Sequence, residues 1–574
     1  MSESTKTAGT ALGAAQTGAE NLLLGLKASG IDYIFANAGT DFPPIIEAFA
    51  TLDADSVPMA VTVPHETAGV AMAHGYYLVT GQAQAAMVHV NVGLANSIMG
   101  VINAASDNVP VLMMSGRTPL TEGSRLGGRV TPIQYGQEMY DQSSLVANAV
   151  KFHYEMRYPE QGDMLAMRAA TLAMSEPRGP VYLSLPREPL MEALPEKARP
   201  TPRQAPATPA AADPASIEQA AKWLASARSP LVLCQRGDTA GQLSAALVEL
   251  ADAHAIPVVE PFMIRNVMPS AHPMFLGHDP KAALAEADVV LVVDSAVPWI
   301  EALHRPGDET RVIQLGPDPL FQRMPIRSYR SDLAITADAA GGVMAISQAM
   351  GKPGPGVEPR RKAVAERAQA RRRTMAELAL EGRSSPMSAE WMSRCISDVM
   401  DERAVVFGEL GIVPGAMTVS RPNQIFCNPH SGGLGWGMPA ALGAQLADRD
   451  RLTICCIGDG SYMFANPVAC HQIAEALELP ILTIVKNNGM WNAVRRSVVS
   501  AYPGGAAAKA NRMPLTSLEP APDYTQIAAA SRAHVERVEH GEDLPAALER
   551  AVGVIRNERR QAFLELRIAI SDKH

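Results

Sequence analysis

Short apolar runs alternate with helix-length stretches along most of the chain. In the first third, DYIFAN from Asp32, MAVTV from Met59, AAMVHVNV from Ala85 and VLMMS from Val111 read as strands. Between them, the amphipathic run from Glu20 to Ser29 and the segment from Glu66 read as helices. Strands that are apolar on both faces and separated by helices imply a parallel sheet covered on both sides. The pattern returns in PLVLC, IPVVE, DVVLVVDS and RVIQLG, and again in AVVFGEL, LTICCIGDG, LPILTIVKNN and AFLELRI. The predicted fold class is therefore α/β, with three doubly wound parallel-sheet domains.

Two stretches break the pattern. Pro195–Ala215 is rich in Pro and Ala and has no apolar period, as an extended connector would. Gly351–Ser385 opens with GKPGPG and continues as an Arg-rich segment, either a solvated helix or a mobile tether. They divide the chain into domains at about 1–195, 215–350 and 385–574. A length of 574 residues suits three such domains.

Composition narrows the class. Hydrophobic residues make up 47% and charged residues 19%, ample for large cores. A net charge of −9 without a dense basic patch argues against nucleic acid as a partner. Six cysteines form no CxxC pair and have mostly apolar neighbours, which favours reduced core thiols and a cytoplasmic location. The first twenty residues carry no secretory pattern and no apolar run reaches membrane-spanning length, so no membrane partner is expected.

In open parallel sheets, ligands sit beyond the carboxyl ends of the strands. There the polar residues fall. LTICCI is followed by Gly458-Asp459-Gly460-Ser461, and ILTIV by Lys486-Asn487-Asn488. A carboxylate and an amide oxygen at neighbouring strand ends can share a hard divalent cation such as magnesium, with a backbone carbonyl and water completing the shell. The glycines let the backbone approach a phosphate, and the helix start supplies N–H donors.

GDG followed about 30 residues later by NN resembles the thiamine-diphosphate fingerprint of the acetolactate synthase, pyruvate decarboxylase and benzoylformate decarboxylase superfamily. The resemblance implies Asp459, Asn488 and the Met490 carbonyl as metal ligands, with Gly458, Gly460 and Ser461 at the diphosphate. It implies that Glu66, in VPHETAGVAMAHGYY, hydrogen-bonds the aminopyrimidine and so activates the thiazolium C2 position. In SGGLGWG it assigns the Gly432 carbonyl to the 4′-amino group and Leu434 to the wedge that bends the cofactor. Gly411, in GELGI, belongs to a second diphosphate-facing turn, where Glu409 is either a cofactor contact or a solvated loop acid. Because such families build each site from two subunits, the resemblance implies at least a homodimer, commonly a homotetramer.

The reaction is less specified. Thr40, in NAGTD, matches the small hydroxyl residue that meets the substrate carboxylate in benzoylformate decarboxylase, or else caps a turn. His89, seven residues before Asn96, resembles that enzyme's proton-shuttling histidine, with Asn91 able to meet the substrate carbonyl; a satisfied strand histidine is the alternative. The chain departs from its templates in the middle domain, where SAVPWIEALHRPG puts Pro298, Trp299 and Glu301 near the place of a second histidine and leaves His304 shifted. It lacks the adjacent histidines of pyruvate decarboxylases. It also lacks the Arg- and Asp-rich turn of FAD-containing acetolactate synthases, so FAD is not expected. Trp491, Arg495 and Arg496 follow the metal loop, where an arginine pairs with a carboxylate or phosphate or is simply solvated. His65 and His430 receive no role.

These readings converge on decarboxylation of a 2-oxo acid with an apolar or aromatic side chain, ending in protonation to an aldehyde or capture by a second carbonyl. The alternatives are an acetolactate synthase-like carboligase, a 2-hydroxy ketone lyase, or a non-catalytic cofactor-binding relative.

Overall fold

The computed structural model describes residues 15–510 and 512–571. Most of the N-terminal stretch read for a secretory signal lies outside them. The chain forms two compact units, Met1–Thr208 with Pro429–Ala447, and Pro209–Asn428 with Asp448–His574.

The first unit holds a six-stranded sheet of β1 (Tyr33–Asn37), β2 (Met59–Thr62), β3 (Gln84–Val88), β4 (Val111–Arg117), β5 (His153–Glu155) and β6 (Val181–Pro186). The order is β2-β1-β3-β4-β6-β5 and every pairing is parallel. The helix Glu66–Thr80 packs on Gly437–Ala447 so closely that a Cβ on Gly75 would lie 2.6 Å from the Ala440 Cα, and one on Gly443 2.8 Å from the Met72 Cα. Only glycine permits that crossing.

The second unit carries two sheets. The middle one comprises β7 (Pro230–Cys234), β8 (Val258–Val259), β9 (Val289–Val293), β10 (Arg311–Gly316) and β11 (Leu333–Thr336), in the order β11-β10-β9-β7-β8. The last comprises β12 (Val405–Glu409), β13 (Ile425–Cys427), β14 (Thr453–Gly458), β15 (Leu482–Asn487), β16 (His534–Val538) and β17 (Ala562–Arg567), in the order β13-β12-β14-β15-β17-β16. The fold is thus α/β with three parallel sheets, as the periodicity predicts. All three share one core order, with the crossover direction reversing between the first and third strands, where a ligand crevice forms. In the middle sheet the buried Gln235 side chain bonds Pro261 O and Val297 O and accepts from Ala296 N, which fills that crevice.

The structure corrects one local expectation and settles the details of others. The strand expected over AAMVHVNV ends at Val88, and His89 is instead the N-cap residue of the helix Val90–Ser106. Val90 there has φ 31°, costly for a β-branched residue. The stretch after Gly458 is two helices, Asp459–Phe464 and Pro467–Ala476, because Asn466 is left-handed and Pro467 can only start a helix. The Arg-rich segment is the helix Val357–Glu381 and not a tether: Arg360 donates to the His254 and Ala255 carbonyls, which end the helix Gln242–His254. Cys234, Cys395, Cys455, Cys456 and Cys470 are buried, Cys427 is half-buried, and all six are free thiols.

Candidate active site

The third sheet places the fingerprint at its switch point. Asp459 opens a helix at the end of β14, so its carboxylate meets the helix dipole. Its Oδ1 accepts from Gly460 N at 2.8 Å, and its Oδ2 from Asn488 N at 3.1 Å and Gly489 N at 2.8 Å. The carboxylate therefore ties the end of β14 to the end of β15. Burial pushes its pKa above the ordinary carboxylate value, against these donors. Such a carboxylate gains from a cation beside it.

The two asparagines divide the work. Asn487 is buried and donates to Glu565 Oε1 at 2.7 Å, which anchors the strand end. Asn488 lines a cavity of about 220 Å³ together with Asp459, Gly458, Gly460, Ser461 and Met490. Asn488 Oδ1 accepts from Met490 N at 3.2 Å, and Gly489 takes φ 68° to make that turn. The oxygen donors are hard, as magnesium requires. No cluster of three His, Cys, Asp or Glu exists among the described residues, so a metal here would rest on one carboxylate, one amide and a carbonyl.

The cavity is smaller than the roughly 300 Å³ at which a pocket takes a whole drug-sized ligand, so it suits a diphosphate and its ion. Its opposite wall comes from the turn after β12. Leu410, at φ 55°, and Ile412 line it, whereas Gly411, expected at the diphosphate, does not: it packs on Cys456, where an added Cβ would lie 2.8 Å from the Sγ. Glu409 is fully buried and not a solvated loop acid. Lys486, whose ammonium pKa burial lowers, and Arg496 also line the cavity, while Arg495 does not. Trp491 lies over Gly460 and meets the Phe464 ring edge-on at 5.7 Å.

The first unit gathers the other predicted residues. Glu66 begins the helix Glu66–Thr80, and Asn96 Nδ2 donates to its Oε2 at 3.1 Å. His65 caps that helix by accepting from Thr67 N. The SGG segment is clamped by Asn103, which donates to Gly433 O at 2.9 Å and accepts from Ser431 Oγ at 2.6 Å and Gly433 N at 3.1 Å. Gly432 is exposed with φ 70°, and Leu434 is half-buried. Asn103 was not predicted; its only sequence signal is a polar residue on the apolar face of a helix.

At the first sheet's switch point His89 stands where Asp459 stands in the third. Its Nδ1 meets Asp41 Oδ1 at 2.5 Å and its Nε2 meets Gln137 Nε2 at 3.0 Å. Asp41, the larger influence, raises the imidazole pKa against the lowering effect of burial, and Glu66 adds to the rise. His89 is therefore not a strand histidine. Thr40, on the same loop, is exposed. Asn91 lies in the first turn of the helix and not at a strand end, with its Oδ1 buried and without a partner among the described residues. In the second unit Trp299 is core, and its indole donates to Glu301.

Comparison with known proteins gives three family models in sequence order. Residues 16–145 match the thiamine pyrophosphate enzyme N-terminal TPP binding domain, 217–346 the central domain and 409–566 the C-terminal TPP binding domain. The chain is 26% identical over 540 residues to the acetolactate synthase large subunit of Mycobacterium tuberculosis, covering 92% of each. It is 26% identical over 487 residues to benzoylformate decarboxylase of Pseudomonas aeruginosa, covering 82% of this chain and 85% of that one. Among solved structures, benzoylformate decarboxylase from Polynucleobacter necessarius superposes with a TM-score of 0.79 at 19% identity, covering 97% of this chain and 99% of that one. The thiamine diphosphate-dependent 4-hydroxybenzoylformate decarboxylase of Rhodococcus jostii gives 0.76 at 22%, with the same coverage.

Proposed function

The chain belongs to the thiamine pyrophosphate enzyme family, and from that premise we propose that it decarboxylates a 2-oxo acid with an apolar or aromatic side chain. The observation that carries the reading is His89, held by Asp41 at the switch point of the first sheet and electrostatically coupled to Glu66. A histidine so placed can hold a proton for a reacting carbon or oxygen.

Glu66 is the residue assigned to activating the cofactor, and Asn96 fixes its Oε2. Asp459, Asn488 and the Met490 carbonyl would hold magnesium, and the Gly458–Ser461 turn would hold the diphosphate with the help of Lys486 and Arg496. When bound, thiamine diphosphate supplies an electron sink for the bond that breaks next to the carbonyl. Thr40 would offer its hydroxyl to the substrate carboxylate, and Met490 and Trp491 an apolar wall. We extend the proposal to a homodimer at least, as a homotetramer, in the cytoplasm. No helix among the described residues is long and apolar enough to cross a membrane.

The likeness to acetolactate synthase over 92% of the chain favours a second outcome, capture by an acceptor carbonyl, giving a carboligase. One experiment tests both. The enzyme, loaded with magnesium and thiamine diphosphate, is incubated with a panel of 2-oxo acids, with and without acceptor aldehydes, while CO2 and products are followed. Aldehyde supports the decarboxylase and hydroxy ketone the carboligase; no CO2 from any acid would refute both.

A further inference from the structure

Both ring nitrogens of His89 are engaged within the first unit. Asp41 reaches it from the loop after β1; its Oδ2 accepts from Val90 N at 3.1 Å, so the carboxylate bridges the ring and the start of the next helix. The fit depends on two glycines. A Cβ on Gly39 would lie 2.7 Å from His89 Cβ, and one on Gly116 2.8 Å from Asp41 Cβ. The carboxylate is 2% exposed and the imidazole 17%. Gln137 approaches from the segment after β4, where its neighbour Glu138 is tied to Arg117, Arg129 and Thr118.

The Gln137 amide is the informative part. As placed, its nitrogen faces His89 Nε2, and its Oε1 is buried without a partner among the described residues. That arrangement satisfies a neutral ring carrying its proton on Nδ1. Turning the amide by half a rotation brings Oε1 to Nε2, which satisfies a ring protonated on both nitrogens.

We propose that Asp41 and Gln137 are positioning residues that make His89 a two-state proton store, with the carboxylate fixing Nδ1–H in both states and the amide turning to match Nε2. Protonation adds one proton from solvent to Nε2; delivery returns the ring to neutral, and the proton on Nδ1 stays in place. The reacting group takes the place of the amide at Nε2. The proposal rests on the reading that His89 moves a proton at the site. The charged groups that act on the ring are Asp41 and Glu66, both acidic, and both favour the protonated state.

The test is an NMR titration of the full-length, cofactor-loaded protein with histidine labelled at Cε1 and the ring nitrogens, without substrate. His89 is assigned by loss of its signal in His89→Asn. The expected midpoint lies above the ordinary imidazole value of about 6.5. Asp41→Asn keeps a hydrogen-bond acceptor but removes the charge, and should lower the proton affinity at least tenfold while Nδ1 remains protonated. Gln137→Glu should raise it at least tenfold, which keeps the proposal testable if the Asp41 variant does not fold. A midpoint unmoved in either folded variant overturns the proposal. Turnover of the 2-oxo acid panel is measured separately, so a failed reaction assignment leaves the titration result standing, and the reverse.

Discussion

Gly460→Ala tests whether the turn after β14 and the loop after β15, proposed to hold the diphosphate and the metal, are mechanically one piece. The added Cβ would lie 2.6 Å from Trp491 Cη2 and 2.7 Å from Cε3. Carbon atoms rest at about 3.5 Å or more, so the indole must retreat by about 1 Å. It cannot do so freely. Trp491 N donates to Thr516 O at 2.7 Å, its ring packs against Phe464, and it heads the helix Asn492–Ala501. The strain therefore passes back to Met490 and Asn488, which line the cavity. Overpacking of this kind costs about 2 kcal/mol. Spent on the loaded state, that is about a 30-fold loss of cofactor affinity. Titration calorimetry with thiamine diphosphate at saturating magnesium reads it directly. Trp491→Ala in the same chain removes the clash, so the double variant should recover at least 1 kcal/mol relative to the sum of the singles. Affinity of Gly460→Ala within twofold of the parent, or singles that simply add, would refute the coupling.

Asn103→Ala strands the Gly433 N–H and carbonyl and should destabilise the first unit by about 3 kcal/mol; a urea midpoint like the parent's would show that the clamp is replaceable. Gly443→Ala drives a Cβ into the Met72 backbone and should cost about 3 kcal/mol, seen as a fall in Tm of several degrees. Burial lowers His278 and His471 to a pKa of about 4. Because the unfolded chain binds protons first, stability is full above about pH 6.5 and falls toward pH 4, by roughly 3 kcal/mol for each histidine. Chemical denaturation at pH 7 and 4.5 should show the loss, and His471→Gln should remove its share; an unchanged slope in that variant would exclude His471 as a source.

The strands that periodicity left out are instructive. β5, β11, β13 and β16 are all edge or short strands, where few side chains need be apolar and no alternation accumulates. β6 is interior, but Pro180 and Pro186 bracket its apolar run and mimic a loop. The placement of Asp459 and Asn488 was legible because each follows a strongly apolar strand directly, and both line one cavity. His89 was legible as a residue but not as a geometry. Nothing local says that the strand stops at Val88, since HVNV continues the apolar alternation. The break comes from Asp41, 48 residues earlier, which holds both the ring and Val90 N.

The sequence alone thus determined the α/β class of the fold and the residue types that stand at the ends of β14 and β15, because repeating apolar runs and short motifs are local. Only the tertiary structure decided which groups hold those motifs in place. Asn103 on the SGG segment, Asn96 on Glu66, Asp41 and Gln137 on His89, and Trp491 on Gly460 are contacts across the fold. They are set by how strands and helices pack, and no spacing along the chain encodes them.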